Sequence, residues 1–267
     1  MPLLRRLTLT ALVLAPAILA AQDRQSDRTW TLSERVPAGQ WIRVRNLNGD
    51  LRVRASSSDK VEITATKSWR RGDPKDVRIE RKKSGDGSIL VCAFWTEDAT
   101  CSETDYKSNS RNDGWRRGRD NDVAVDFEIR VPKGVKVGVF GVNGGVSVEG
   151  ASSEVRASTV NGSVDAISMS GPVQASTVNG SVHATMGRFD GDEDLTYSTV
   201  NGTVVAEFTG DVDADIDLST VNGRFQTDWP VTISGRIDPR RLKATLGKGG
   251  RRIRMSTVNG NVELRKR

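Results

Sequence analysis

The phrase Ser-Thr-Val-Asn-Gly occurs five times, starting at Ser158, Ser176, Ser198, Ser219 and Ser256. A phrase that recurs at a nearly fixed interval restricts a chain to folds built by stacking similar units. Looser relatives end in Asn48-Gly49 and Asn143-Gly144. From Asn143 onward the Asn positions are 143, 161, 179, 201, 222 and 259, at intervals of 18, 18, 22, 21 and 37 residues. The last interval reads as two units with one phrase lost or degraded.

Residues flanking each Asn-Gly alternate apolar and polar, as strands with one buried face do. Val173, Ala175 and Thr177 share a face before one corner, and Val182 and Ala184 share it afterwards. The phase slips by one residue at every Asn-Gly, so each dipeptide re-aims the chain. A type I′ hairpin is one device that does this. It would, however, pair Val178 with Ser181 and Val258 with Asn261, an apolar with a polar residue on one face. The corner of a parallel β-helix is the better fit, because Val stacks on Val and Asn on Asn from coil to coil. A unit of 18–22 residues would give roughly three short sides of about six residues, with right-handed coiling as the default for parallel crossovers. The structural corners are then Asn48, Asn143, Asn161, Asn179, Asn201, Asn222 and Asn259.

The expected fold class is all-β. A single-stranded parallel β-helix of solenoid repeats fills the C-terminal half, with further strands and a loop insertion in the N-terminal half. Val61, Ile63 and Ala65, then Ile89 and Val91, then Val123, Val125, Phe127, Ile129 and Val131 mark those further strands. The expected division is a signal peptide over 1–21, a β-rich region over 22–135 and a solenoid over 136–267, or one continuous domain over 30–267. Arg5 and Arg6 precede an apolar stretch and the small residues Ala17, Ala20 and Ala21, as in a secretory signal. The apolar run is short of the roughly 18 residues of a spanning helix, so no transmembrane segment is expected in the mature chain.

Cys92 and Cys101 are the two cysteines, and an exported chain meets conditions in which such a pair bridges. Between residues 102 and 122 runs a polar insertion containing Arg111, Trp115, Arg116, Arg117 and Arg119. It reads as a surface loop, or as a contact loop for an anionic glycan, lipid headgroups or an acidic partner. Charge is polarised along the chain: residues 149–235 hold 13 acids and 3 bases, residues 236–267 hold 11 bases and 2 acids. The basic end, from Arg251 to Arg267, reads as charge that blunts the last coil, or as a patch for an anionic surface.

Catalytic machinery is not expected. The one histidine, His183, falls on an outward position occupied in other repeats by Asp165, Val205 and Gln226. Asp211, Asp213, Asp215 and Asp217 project from one strand face, and Asp190, Asp192 and Asp194 cluster in a loop as weak metal candidates. Neither set has the spacing of a known calcium loop, so neither a metal nor a cofactor is expected.

Three stretches carry a family resemblance: Asn46-Leu47-Asn48-Gly49-Asp50-Leu51-Arg52-Val53, Phe127-Glu128-Ile129-Arg130-Val131-Pro132-Lys133-Gly134-Val135, and the Val-Asn-Gly units up to Leu246-Gly247-Lys248-Gly249-Gly250. Together they resemble a bacterial putative-adhesin family, a widespread domain of unknown function, over roughly residues 30–265. The resemblance implies an exported or envelope-associated β-solenoid, periplasmic or at the cell surface, with no catalytic residues to carry over. The chain departs from it in the segment from Cys92 to Asp122. The expected function is a non-catalytic adhesin-like or envelope scaffold and binding module, whose partner is an envelope component, a glycan or a protein and not nucleic acid. A carbohydrate-active enzyme, a lyase or hydrolase on a β-helix, is the alternative.

Overall fold

The computed structural model describes residues 27–107, 121–187, 193–232 and 238–267. The expected signal segment and the Arg111–Arg119 stretch lie outside these residues. Among the described residues no helix is long and apolar enough to cross a membrane.

The chain enters through β1 (Thr29–Glu34) and makes its first coil from β2 (Trp41–Arg45), the Asn48-Gly49 corner and β3 (Leu51–Ala55). β4 (Val61–Ser68) leads through a 3₁₀ turn at Pro74–Asp76 to β5 (Arg78–Lys83) and β6 (Ile89–Phe94). A small ribbon of β7 (Thr100–Cys101) and β8 (Tyr106–Lys107) precedes β9 (Ala124–Val131). Regular coils follow: β10 (Lys136–Phe140) with β11 (Val146–Ala151), β12 (Val155–Ser158) with β13 (Val164–Ser168), and β14 (Val173–Ser176) with β15 (Val182–Met186). Next come β16 (Leu195–Ser198) with β17 (Val204–Phe208), and β18 (Ala214–Ser219) with β19 (Phe225–Thr227). The chain ends in β20 (Arg241–Leu246), β21 (Arg251–Ser256) and β22 (Val262–Lys266).

Parallel pairing stacks these coils into two ten-stranded sheets. The first runs β1-β4-β9-β3-β11-β13-β15-β17-β22-β19 and the second runs β20-β18-β21-β16-β14-β12-β10-β2-β6-β5. Each coil thus has two strand sides instead of the three expected, because residues around the Asn-Gly corner form single bridges rather than a third sheet. The inward residues of both sheets, from Trp30 to Leu264, form one continuous core. That core begins at Trp30 in β1, and the N-terminal strands β2, β3, β6 and β9 pair in parallel within the same two sheets.

The recurring phrase assigns each residue a task at the corner. Its Thr points inward and donates its hydroxyl to the Gly carbonyl of the neighbouring coil, as Thr177 does to Gly162 and Thr199 to Gly180, both at 2.8 Å. Its Asn side chains form a ladder: Asn143 donates to Asn48, Asn161 to Asn143, Asn179 to Asn161, Asn201 to Asn179, Asn259 to Asn201 and Asn222 to Asn259, at 2.7–2.9 Å. A net contribution of about 0.5–1.5 kcal/mol per bond makes this ladder a useful increment on core burial. Gly is required for two reasons. Gly180 has φ 149°, and a Cβ there would overlap the carbonyl of Gly162. The Asn-Gly sites are therefore corners of a parallel coil, with Val182 and Ala184 fully buried beyond the bend.

At Asn46, two residues before Asn48, the first coil departs from the rule. Its neighbour, β6 with β9, has no Asn-Gly corner, so the longer amide reaches across and donates to the Val125 carbonyl at 2.8 Å.

Coil order differs from chain order at both ends. β2 and β3 lie between the β6/β9 coil and the β10/β11 coil. At the other end β21 pairs with both β16 and β18, and β22 with both β17 and β19. The 37-residue interval between Asn222 and Asn259 is therefore not a lost phrase: the chain makes its outermost coil, returns through β20, and threads its last coil one step inward. Three of the four sheet edges carry antiparallel strands, β1 on β4 and β4 on β9, β5 on β6, and β20 on β18, which close a parallel stack against end-to-end growth there; the fourth edge is β19, in parallel with β22. At the first of these ends Lys67 turns inward, and its buried ammonium donates to the carbonyls of Pro74 and Val77. Burial holds its pKa below the ordinary lysine value.

Two glycines separate conformational from steric demand. Gly210 also has positive φ but faces open space, so Gly210→Ala is expected to cost about 1 kcal/mol. Gly180→Ala meets both penalties and is expected to cost about 3 kcal/mol or more. Denaturant melts of the two variants check the ranking.

Candidate functional site

Along β2 the inward residues are Ile42 and Val44, which leaves Trp41, Arg43 and Arg45 on the outer face of the second sheet. Parallel register sets Lys136 beside Trp41, Gly138 beside Arg43 and Phe140 beside Arg45, with Arg156 beyond Gly138. Cations cover both rings. The guanidinium carbons of Arg43 and Arg156 lie 4.6 and 4.9 Å from the Trp41 ring centre, with the Lys136 ammonium at 5.5 Å. Arg45 lies 5.0 Å over Phe140. A guanidinium held over a ring still offers N–H groups to anions, here to the carboxylates of Glu103 and Glu154.

Gly138 makes room for this packing, since a Cβ there would press on Arg43 and the Trp41 ring. The result is a cleft of about 160 Å³ between Trp41, Phe140 and the arginines. Glu103 forms one wall: its carboxylate meets Arg43 at 3.1 Å and its carbonyl accepts from Arg45 at 2.7 Å. Glu154 pairs with Lys136 and Arg156 at 3.1 and 2.8 Å. Burial lowers the Arg45 pKa more than nearby Asp105 restores it, and Arg43 lowers it further. Arg45 remains charged at neutral pH, and an added anion would relieve that partial desolvation.

The wall at Glu103 is fixed by the cysteines. Cys92 and Cys101 are joined in a disulfide. The bridge pulls the 99–106 segment over the outer face of β6, where Leu90, Cys92, Phe94 and Ala99 form a second small core. Tyr106 stacks on Phe94 with ring centres 5.8 Å apart, and burial pushes its pKa up to about 12. This cover explains why every residue of β6 is buried.

The acidic strand has a different fate from an open carboxylate face. β18 lies between two basic strands, β20 and β21. Asp217 is held by Arg241 through two hydrogen bonds of 2.8 and 2.6 Å. Asp215 accepts from Thr245 and from the Gly250 amide, Asp213 from the Lys248 amide, and Asp211 pairs with Lys266. The opposed charge of the two chain segments is thus used in strand pairing. The basic residues of β21 and β22 do not blunt a last coil, because those strands are internal.

Of the other expected residues, His183 faces outward between Asp165 at 3.8 Å and Glu207 at 3.4 Å. Asp194 is exposed, whereas Asp190 and Asp192 lie outside the described residues. Among the described residues no three His, Cys, Asp or Glu side chains converge as metal ligands. Arg111, Trp115, Arg116, Arg117 and Arg119 also lie outside them, so the cleft is composed of residues the sequence did not single out. Their signal was the alternation Trp41-Ile42-Arg43-Val44-Arg45, which places an aromatic and two cations on one face.

No family model matches the chain, and no curated protein matches it. Solved structures similar to it include the following two. One is a putative cell adhesion protein from Clostridium sporogenes ATCC 15579, at 7% identity and TM-score 0.47, covering 90% of this chain and 100% of that one. The other is a putative adhesin from Bacteroides fragilis NCTC 9343, at 12% identity and TM-score 0.30, covering 91% and 98%.

The hydrogen bond from Arg241 holds the Asp217 carboxyl below its ordinary pKa. A depressed carboxylate stabilises the fold above its unfolded pKa, and that share is lost as pH falls through the folded value. Asp217→Asn is therefore expected to lower the melting temperature at pH 7, with the gap from wild type closing below about pH 4. Melting curves across pH 2–7 check this, and a gap that persists at the acid end would contradict it.

Proposed function

We propose that this chain is an exported, non-catalytic binding and scaffold module of the bacterial cell envelope. The solenoid serves as a rigid spacer, and the cleft of Trp41, Arg43, Arg45, Phe140 and Arg156 is its contact site for an anionic group. The observation that carries this reading is the stacking of four cations on two aromatic rings. Stacking fixes the cations before a ligand arrives, so less side-chain entropy remains to be lost on binding. The disulfide supports an oxidising destination, as cysteine bridges persist outside the reducing cytosol.

The carboxylates of β18 weigh against the alternative of a carbohydrate-cleaving enzyme. Glycoside hydrolysis uses two carboxyl groups with separated pKa values facing one bond. Here Asp213, Asp215 and Asp217 accept hydrogen bonds from β20 and its following turn.

The test is retention of the purified chain on washed envelope fractions. Arg43→Gln with Arg156→Gln removes two charges while keeping length and polarity, and is expected to weaken retention by about tenfold or more. Added salt should weaken the wild type in the same direction. A double variant that melts like wild type and is retained equally well would overturn the contact site.

A further inference from the structure

The cleft sits at one end of a longer pattern on the same sheet. Outward residues in register form a column across eight strands from β2 to β20: Arg45, Phe140, the five serines of the repeat phrase from Ser158 to Ser219, and Arg241. A second column two residues earlier begins at Arg43, Gly138 and Arg156, passes Gln174 and Thr196, and ends at Arg254, Asp217 and Lys243. These two columns carry six cations and a single carboxylate.

The equivalent columns of the first sheet are different in sign. From β9 to β22 they hold Glu128, Glu149, Asp165, Glu207 and Glu263 against Arg52, Arg54, Arg130 and Arg265. Among the described residues the outer face of the second sheet has the greater excess of cations, even with Glu103, Glu154, Asp215 and Asp217 counted against them. Its cations gather at the two ends, in the Trp41 cleft and in a hollow of about 440 Å³ where Arg241, Lys243, Arg252 and Arg254 outnumber Asp215 and Asp217. Between them lies a lane of hydroxyls and one amide. At about 4.8 Å per strand the columns extend over roughly 34 Å.

We propose that this face binds a linear acidic polysaccharide laid across the coils, with its carboxylates or sulfates held at both cationic ends and its hydroxyls along the serine lane. This rests on the reading of the Trp41 cleft as a contact site and extends it to a partner class. Charge complementarity selects a polyanion, and the hydroxyl lane selects a saccharide. A bilayer would meet no apolar side chain in the lane to insert. A single-stranded nucleic acid would need open aromatic faces for its bases, and those of Trp41 and Phe140 carry cations.

The experiment measures binding of the mature chain to long polygalacturonate and to its trimer by calorimetry. Linked sites should make the long polymer bind at least about tenfold tighter than the trimer. Ser198→Glu, which puts a negative charge in the lane, and Lys243→Gln with Arg254→Gln, at the far end, should each remove that advantage. Ser198→Glu should leave trimer affinity and the melting temperature unchanged, and the far-end double variant should leave trimer binding in the Trp41 cleft unchanged. Equal affinity for polymer and trimer, or polymer binding indifferent to both variants, would overturn the inference. So would binding to phosphatidylglycerol vesicles or single-stranded DNA with none to the polymer. If Arg43→Gln with Arg156→Gln abolishes envelope retention while polygalacturonate does not bind, the contact site stands and the polysaccharide inference alone falls. If that double variant changes neither, the contact site itself falls.

Discussion

Everything in this molecule depends on how closely two backbones approach at the Asn-Gly corner. The glycine of one coil sits against the carbonyl of the glycine in the next, in a space that no Cβ can enter. That contact fixes the stacking register, because a slip of one residue would put Asn where Gly must be and turn every inward Val or Ala to solvent. The Thr hydroxyl and the Asn amide then satisfy polar groups that the close approach would otherwise strand: the Thr hydroxyl donates to the same glycine carbonyl, and the Asn ladder runs beside it. The corner is where the coil gains its direction as well as its spacing.

A stack held this way has no natural end, and the chain solves that problem by topology. Its first and last coils are both placed inside the stack, with bonding partners on each side. The outermost coils are made by interior parts of the chain and are covered by antiparallel strands except along β19. Fraying of the last coil, β21 and β22, would then have to break two parallel interfaces rather than one. At the C-terminal end the same threading brings the basic β20 and β21 to either side of the acidic β18, so charge and register favour the same partner order.

The repeating parts of this architecture were legible in the sequence, since the alternation around each Asn-Gly names its buried face directly. Val173, Ala175, Thr177, Val182 and Ala184 are all buried as the pattern requires. Order among the coils was not legible. β21 has the same alternating character as any other strand, and nothing local in Arg251–Ser256 records that it sits between β16 and β18. The contact cleft was hidden for a related reason: Arg43, Phe140 and Arg156 are far apart in sequence and meet only through register. One signal was available and direct. Ile89-Leu90-Val91-Cys92-Ala93-Phe94 is apolar at every position, which is how a strand covered on both faces reads, and it foretold a second small core above β6.

The repeat phrase separates the demands of folding from those of recognition within five residues. Thr and Gly are spent on the corner, Asn on the ladder, and Val is left partly exposed along the ridge. Ser alone faces outward on the second sheet, in line with the serines above and below it. Stacking the phrase therefore produces a hydroxyl lane without any further design, and that lane has no charge of its own. Selectivity must come from positions outside the phrase: Trp41, Arg43, Arg45, Phe140 and Arg156 at one end, Arg241, Lys243, Arg252 and Arg254 at the other. These residues precede the phrase or stand on strands without it, so the coil supplies length and the residues around the repeat decide what it holds.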